Sequence, residues 1–322
     1  MLKNCQLAML RSIAQVATSE KPFLERMPAV VESAESSAED TERMKFESPG
    51  LVEYRLWAKG RGGFLNWMKI MHVLDAPLLV TDYDELARCC VEWASEPRCH
   101  LLEFVNTMIV TMRRHDAGFR DSMNAYDSLV PDGMPLVWCL NAAGAQMKDR
   151  VYGPTFMRRF LETAPAGSTH YLLGGSEECG AKLREIFLRS NPGIKFVGSF
   201  HGWCNADGTL KGDAEQSVIE ELNRVSPDFI WVGFGTPKQQ TWARRHKHQI
   251  KRGVVMTVGF AFDANAGTKS DAPGWMQRNG LTWLYRMVTE PRRLGPRYFK
   301  WNSLFLYYLL RDGLRGRAVT AR

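Results

Sequence analysis

The chain has 322 residues, 45% of them hydrophobic and 24% charged, with a formal net charge of +7. These values fit a folded α/β protein of one large domain with an appendage, or of two domains, and exclude a collagen-like or globally disordered chain. No apolar run approaches the roughly 18 residues of a membrane-spanning helix, and the seven cysteines are odd in number and contain no C-x-x-C, which argues against a disulfide framework or zinc ribbon and for a reducing cytoplasm.

Residues 1–60 read as an N-terminal extension. Met1–Val16 has the pattern of a short amphipathic helix without a small-residue cleavage site, so it is not a signal peptide. Glu32–Glu47 is acidic, serine-rich and poor in apolar residues, as a disordered linker is. Asp82 and Asp84 form a D-x-D, a pattern by which many sugar transferases hold a divalent metal, but they open a helical pattern, where acids complement the helix dipole; the capping role is preferred.

From about Asn66 to Phe260 short apolar runs alternate with helical periodicity. Strands are predicted at Leu101–Val105, Ser128–Val130, His170–Leu173, Ile194–Phe200, Phe229–Val232 and Val254–Val258. Helices are predicted at Thr107–His115, through Leu140, at Glu177–Arg189, at Asp213–Arg224 with Asp213 as cap, and from Pro237. Repeated strand–helix units imply an α/β, doubly wound, mostly parallel Rossmann-like sheet with helices on both faces. His246 and His248 are two apart and read as part of a basic helix face rather than a metal pair.

In such a sheet ligands bind beyond the carboxyl ends of the strands. Four junctions therefore matter: Asn106, Pro131-Asp132-Gly133, Gly174-Gly175, and Gly233-Phe234-Gly235-Thr236-Pro237-Lys238-Gln239. The glycine turns place bare backbone beside helix N-termini, which suits an anion, although tight turns alone explain them equally well. Lys238 stands where a third glycine would complete G-x-G-x-x-G, and neither a Walker A nor a G-x-S-x-G is present. Asp132 is available as a general base or a ribose ligand, or as an ordinary turn residue.

Residues 273–322 form a basic, aromatic-rich appendage. From Trp275 onward the chain holds ten Arg or Lys against Glu290 and Asp312, with nine of its 35 aromatics. Such a tail suits an anionic membrane surface, a nucleic acid or a diphosphate, or a packed helix pair with a solvated basic face. Its apolar residues recur at helical spacing on either side of Pro291 and Pro296, which predicts two helices interrupted between them.

Several segments occur in a fixed order: Asn106-Thr-Met-Ile-Val, Pro131-Asp-Gly, Gly153-Pro-Thr-Phe-Met, Leu172-Leu-Gly-Gly and Val232-Gly-Phe-Gly-Thr-Pro-Lys-Gln-Gln-x-Trp242. Phe262-Asp-x-x-Ala-Gly267, Ala272-Pro-Gly-Trp-Met-Gln277, Gly280-Leu-Thr-Trp-Leu-Tyr-Arg286, Glu290-Pro-Arg-Arg-Leu294 and Arg297-Tyr298 follow. Together, over about residues 65–305, they resemble the WecG/TagA/CpsF glycosyltransferases. The resemblance implies an inverting transfer, independent of any metal or other cofactor, from a UDP-sugar to a polyprenyl-diphosphate-linked sugar. It places the enzyme peripherally on the cytoplasmic membrane face, in exopolysaccharide or other cell-surface polysaccharide assembly, with no nucleic-acid partner. Residues 61–272 form the core.

By position, Asp132 resembles the family's catalytic base, and Asn106 and Gln239 match polar residues of the same pocket. Gly174, Gly175, Gly235, Thr236 and Lys238 fall at the phosphate-facing junctions, Trp203 and Asp263 near the uracil, and Arg286, Arg293 and Arg297 on the tail that meets diphosphate and membrane. The sequence departs from the family at Phe104 (often Thr), Gln240 (usually Glu) and Asp271 (usually basic), so the sugar, hexose, N-acetylmannosamine or its uronate, is left open, as is a homo-oligomer. The alternatives from other classes are an NAD(P)-dependent oxidoreductase on the same sheet and a non-catalytic membrane- or nucleic-acid-binding module.

Overall fold

The computed structural model describes residues 45–47, 53–59, 65–313 except 203, 206 and 213, and 319–320. The expected N-terminal helix, the start of the acidic linker, Trp203 and the Asp213 cap lie outside the described residues.

Six parallel strands carry the core: β5 (Cys99–Val105), β6 (Ser128–Pro131), β7 (Thr169–Gly174), β8 (Lys195–Phe200), β9 (Phe229–Gly233) and β10 (Gly253–Thr257), in the order β6-β5-β10-β9-β7-β8. The chain leaves β5 towards β6 and returns to the other edge of β5 only at β10. The order thus reverses at the β5/β10 crevice, the place where open α/β sheets bind ligands. Alternation within each strand sends Leu101, Val105, Val232 and Val255 into one apolar layer and Leu102, Phe104, Trp231 and Met256 into the other.

Helices α1 (Tyr83–Ala94), α2 (Thr107–His115), α3 (Ala117–Asn124), α4 (Met134–Ala142), α5 (Gly153–Thr163), α6 (Glu177–Ser190), α7 (Ala214–Val225) and α8 (Lys238–His246) connect and cover the strands. Asp82 caps α1, its Oδ1 accepting the Asp84 and Glu85 N–H groups at 3.0 and 2.9 Å. Among the described residues no cluster of three or more His, Cys, Asp and Glu has a metal-holding arrangement, and His246 instead meets Glu215 at 2.6 Å.

A second, antiparallel sheet precedes the core. It comprises β1 (Lys45–Glu47), β2 (Glu53–Lys59), β3 (Leu65–Val73) and β4 (Ala76–Val80), with β11 (Val319–Thr320) added on β3. The sequence reading placed residues 45–59 in a separate extension with a linker; the structure gives them two strands. The β3–β4 hairpin turns through Leu74 and Asp75, both with positive φ (50° and 68°), in the left-handed pair of a two-residue turn usually made by Asn-Gly.

Past β10 come α9 (Ala261–Asn265), α10 (Gly274–Arg278), α11 (Thr282–Thr289) and α12 (Pro291–Gly313). The expected break after Pro296 is absent: α12 runs through it. Pro291 occupies the first turn, where a missing N–H costs nothing, and Pro296 follows early enough that the long C-terminal part of the helix remains bonded. Phe305 and Leu309 reach the core layer of α2 and α4, while Asn302 Oδ1 accepts from Thr107 Oγ1 at 3.1 Å and Asp312 pairs with Arg114 at 2.6 Å. Among the described residues no helix is long and apolar enough to cross a membrane.

Candidate active site

Beyond the carboxyl ends of β5, β6, β9 and β10 lies a cleft of about 650 Å³, closed on its far side by α11 and α12. It gathers Asn106, Asp132, Gly235, Thr236, Lys238, Gln239, Asp263, Arg286, Arg293 and Arg297 on one surface.

Asp132 follows directly on β6, its N–H donating to Val105 O at 2.8 Å, so sheet pairing fixes the Cα that carries the carboxyl group. The side-chain Oδ1 is sealed from solvent and has no hydrogen-bond partner in the protein. Burial pushes the carboxyl up to about 7, and nearby Asp271 adds to this; Arg150, the Gly153 N–H at the start of α5, and Arg286 pull the other way. A carboxylate with an unoccupied acceptor and a pKa near neutrality is suited to taking a proton from a bound hydroxyl.

Arg150, which the sequence reading missed, is buried beside it. The guanidinium donates from Nη1 to Asp132 O at 3.2 Å and from Nη2 to Thr282 Oγ1 at 2.9 Å, and stacks 4.2 Å over the Tyr152 ring. It thereby joins the β6 end to the first residue of α11. Tyr152 in turn donates to Asp271 Oδ1 at 2.8 Å, which gives the departure from the usual basic residue at 271 a partner. Phe104 packs against Phe156 beneath the cleft, with ring centroids 5.2 Å apart.

On the facing wall, Gln239 is 3% exposed and accepts the Gly235 N–H on Oε1 at 3.0 Å, which folds the loop after β9 back on itself. Gly235 has φ +79° with open space around it, so its backbone faces the cleft bare. Asn106 caps α2 through its Oδ1, which accepts from Ile109 N at 3.2 Å. Lys238 lines the cleft but donates its Nζ to Cys204 O at 2.6 Å, and Asp263 is paired with Lys269 at 2.7 Å.

The tail arginines differ in how they are held. Arg286 stacks 4.0 Å over Phe260, and its Nε is shut from solvent with no partner among the described residues. Arg297 donates to Thr236 O at 3.0 Å, tying α12 to the loop after β9, and burial lowers its pKa. Arg293 pairs with Glu290 at 2.5 Å.

Gly174 and Gly175 are not part of the cleft. A Cβ on Gly174 would stand 2.9 Å from the Phe234 ring and one on Gly175 3.0 Å from the Phe262 ring, so close packing beneath the loop after β9 accounts for both. Besides Arg150, the cleft holds Glu103, a charged type inside the otherwise apolar strand Cys99–Val105; that mismatch is a signal the sequence did contain. Arg150 sits in a loop and carries no comparable mark.

Comparison with known proteins agrees with this arrangement. The model of the family described as "Glycosyl transferase WecG/TagA/CpsF family" matches residues 71–319. The chain is similar to an N-acetylglucosaminyldiphosphoundecaprenol N-acetyl-beta-D-mannosaminyltransferase of Staphylococcus aureus strain MRSA252, 26% identical over 203 residues, which are 63% of this chain and 76% of the relative. The protein of the same name from strain NCTC 8325 / PS 47 matches to the same extent. With more than half of its length inside the family model, its sheet reversal forming the cleft and Asp132 at the head of it, the chain belongs to the WecG/TagA/CpsF family of glycosyltransferases.

Proposed function

We propose that the protein transfers a sugar from a UDP-sugar to a polyprenyl-diphosphate-linked sugar, with inversion and without a metal, in cell-surface polysaccharide assembly at the cytoplasmic face of the membrane. One observation carries the reading: Asp132, with an unpartnered buried oxygen and a carboxyl pushed up to about 7, shares a cleft with the free Nε of Arg286. A hydroxyl of the acceptor sugar attacks the anomeric carbon from the face opposite the nucleotide. Its proton passes to the Asp132 carboxylate as the new C–O bond forms and the bond to UDP breaks. A single displacement of this kind inverts the anomeric centre. The departing diphosphate gains negative charge, and Arg286, Arg297 and the bare backbone at Gly235 stand on the cleft wall to receive it.

The names of the relatives give the acceptor class, a sugar diphospho-lipid. Membrane attachment is supported by the outer side of α11 and α12, where Val288 is 70% and Phe299 79% exposed, with Leu306 and Leu310 also outward among the basic residues. The test is mass spectrometry of products from a panel of UDP-sugars with N-acetylglucosaminyl-diphospho-polyprenol, followed by NMR of the new linkage. A product of inverted configuration is expected. No product with any UDP-sugar, or retained configuration, would refute the proposal.

A further inference from the structure

The floor of the cleft contains a polar group that the transfer step does not use. Glu103 lies in the middle of the sheet, 1% exposed, on the strand face that otherwise presents Leu101 and Val105 to the core. Its register partner on β10 is Thr257, whose hydroxyl makes a short hydrogen bond to Glu103 Oε2. The same oxygen accepts from Gln240 Nε2 at 3.0 Å, and Gln240 also reaches Thr236 Oγ1 at 3.1 Å. The preceding residue, Gln239, holds the Gly235 N–H at 3.0 Å. Glu103 is thus the root of a hydrogen-bonded tree that ends in both residues flanking the cis Thr236–Pro237 turn region and in the loop's glycine. A buried carboxyl group among apolar neighbours is costly to keep unless its bonds are specific, and all those resolved here run to the cleft wall.

We propose that Glu103 is a positioning residue for the transfer reaction: from the sheet floor it fixes the Gln239-Gln240 start of α8 and, through it, the loop after β9 that faces the donor diphosphate. The inference rests on the transfer reaction proposed above. Burial pushes the Glu103 carboxyl up to about 8, against the opposing pull of Thr257, Gln240 and Gln239, and Asp132 after β6 raises it further. The other titratable group facing it is the buried phenol of Tyr126, whose own pKa is raised by burial and by Glu103. At neutral pH the group is a carboxylic acid. Above about pH 8 it becomes a second negative charge below the diphosphate position, so donor binding and turnover fall on the alkaline side.

The experiment measures kcat, KM and UDP affinity from pH 6 to 9.5 for the wild-type chain, Glu103→Gln, Glu103→Leu and the double swap Glu103→Gln/Gln240→Glu, with circular dichroism to confirm folding. In Glu103→Gln, kcat at pH 7 falls several-fold and the alkaline decline in both turnover and UDP affinity disappears. The swap, which returns one acid to the same hydrogen-bonded group, restores the decline. Glu103→Leu, which uproots the tree, lowers kcat by about tenfold or more, the scale of a misplaced wall. An alkaline decline of unchanged midpoint in Glu103→Gln, or wild-type kcat in a folded Glu103→Leu, overturns the proposal while leaving the transfer reaction standing. A wild-type chain that neither transfers sugar nor binds UDP overturns both.

Discussion

Replacing Asp132 by Asn removes the proposed base and also removes a buried acid that the folded protein holds at a cost. The carboxyl group moves from an ordinary 3.8 to about 7 on folding. A raised carboxyl means that the folded chain keeps a proton which the unfolded chain has released. The stability associated with it is therefore fully present below about pH 4, is lost as pH rises towards 7, and is level above. A shift of this size corresponds to about 4 kcal/mol as an upper bound, at roughly 1.4 kcal/mol per pKa unit. Asp132→Asn, which cannot ionise, is expected to recover a good part of that at pH 8 while turnover drops by about 10² or more, the usual scale for a general base. Wild-type kcat/KM should rise tenfold per pH unit up to about 7 and then level, and the mutant should lack that limb. Urea melts of both proteins at pH 5 and pH 8, with transfer assays alongside, measure the two effects together. A mutant that loses stability between those pH values in parallel with the wild type, or that turns over within threefold of it, would refute the assignment of Asp132 as a buried base.

Arg150→Met should destabilise the fold by about 3 kcal/mol or more, because it leaves Thr282 and the Asp132 carbonyl without their buried donor, and should raise the pH midpoint of the wild-type activity limb; an unchanged midpoint would show that Arg150 does not reach the carboxylate. Asp82→Ala should cost about 1 kcal/mol in a thermal melt through loss of the α1 cap and leave kcat unchanged, and transfer should survive EDTA; activity that is lost on chelation and restored by magnesium or manganese would assign the D-x-D to a metal instead. Phe299→Glu/Leu310→Glu, at two outward positions of α12, should weaken co-sedimentation with anionic vesicles by about tenfold or more, with UDP affinity retained; unchanged sedimentation would mean that this face does not enter the lipid.

The parallel sheet was legible because its strands are short β-branched runs that end in Gly, Pro or Asp, and because both faces are covered, so each strand is apolar throughout. Helix Thr107–His115 coincides with its reading because Asn106 is a cap and Asp116 a stop. The antiparallel hairpin of β3 and β4 was not legible: its turn is Leu-Asp, which carries none of the usual left-handed residues. The site divides in the same way. Asp132, Gln239 and Arg286 sit at strand ends or in ordered motifs and could be named from position. Arg150 and Tyr152 reach the cleft through tertiary contacts with Thr282 and Asp271, more than a hundred residues later in sequence, and no local pattern encodes such a meeting. Gly174 and Gly175 show the opposite error, since a glycine turn marks close approach of any kind, and here what approaches is an aromatic ring.

The wall formed by α11 and α12 bears on the order in which a working molecule comes into being. All six core strands, and Asp132 with them, precede Thr282 in the chain, yet Arg150 is satisfied only by Thr282 and the core layer near α2 is completed only by Phe305 and Leu309. A nascent chain emerging from the ribosome therefore assembles its sheet first, with the cleft open on one side and its carboxyl group exposed to water at an ordinary acidity. Competence arrives in one late step, when α12 docks, and the same helix brings the outward aromatic face. Catalytic readiness and affinity for the lipid surface are acquired together, so the chain is not committed to the membrane before it can act there.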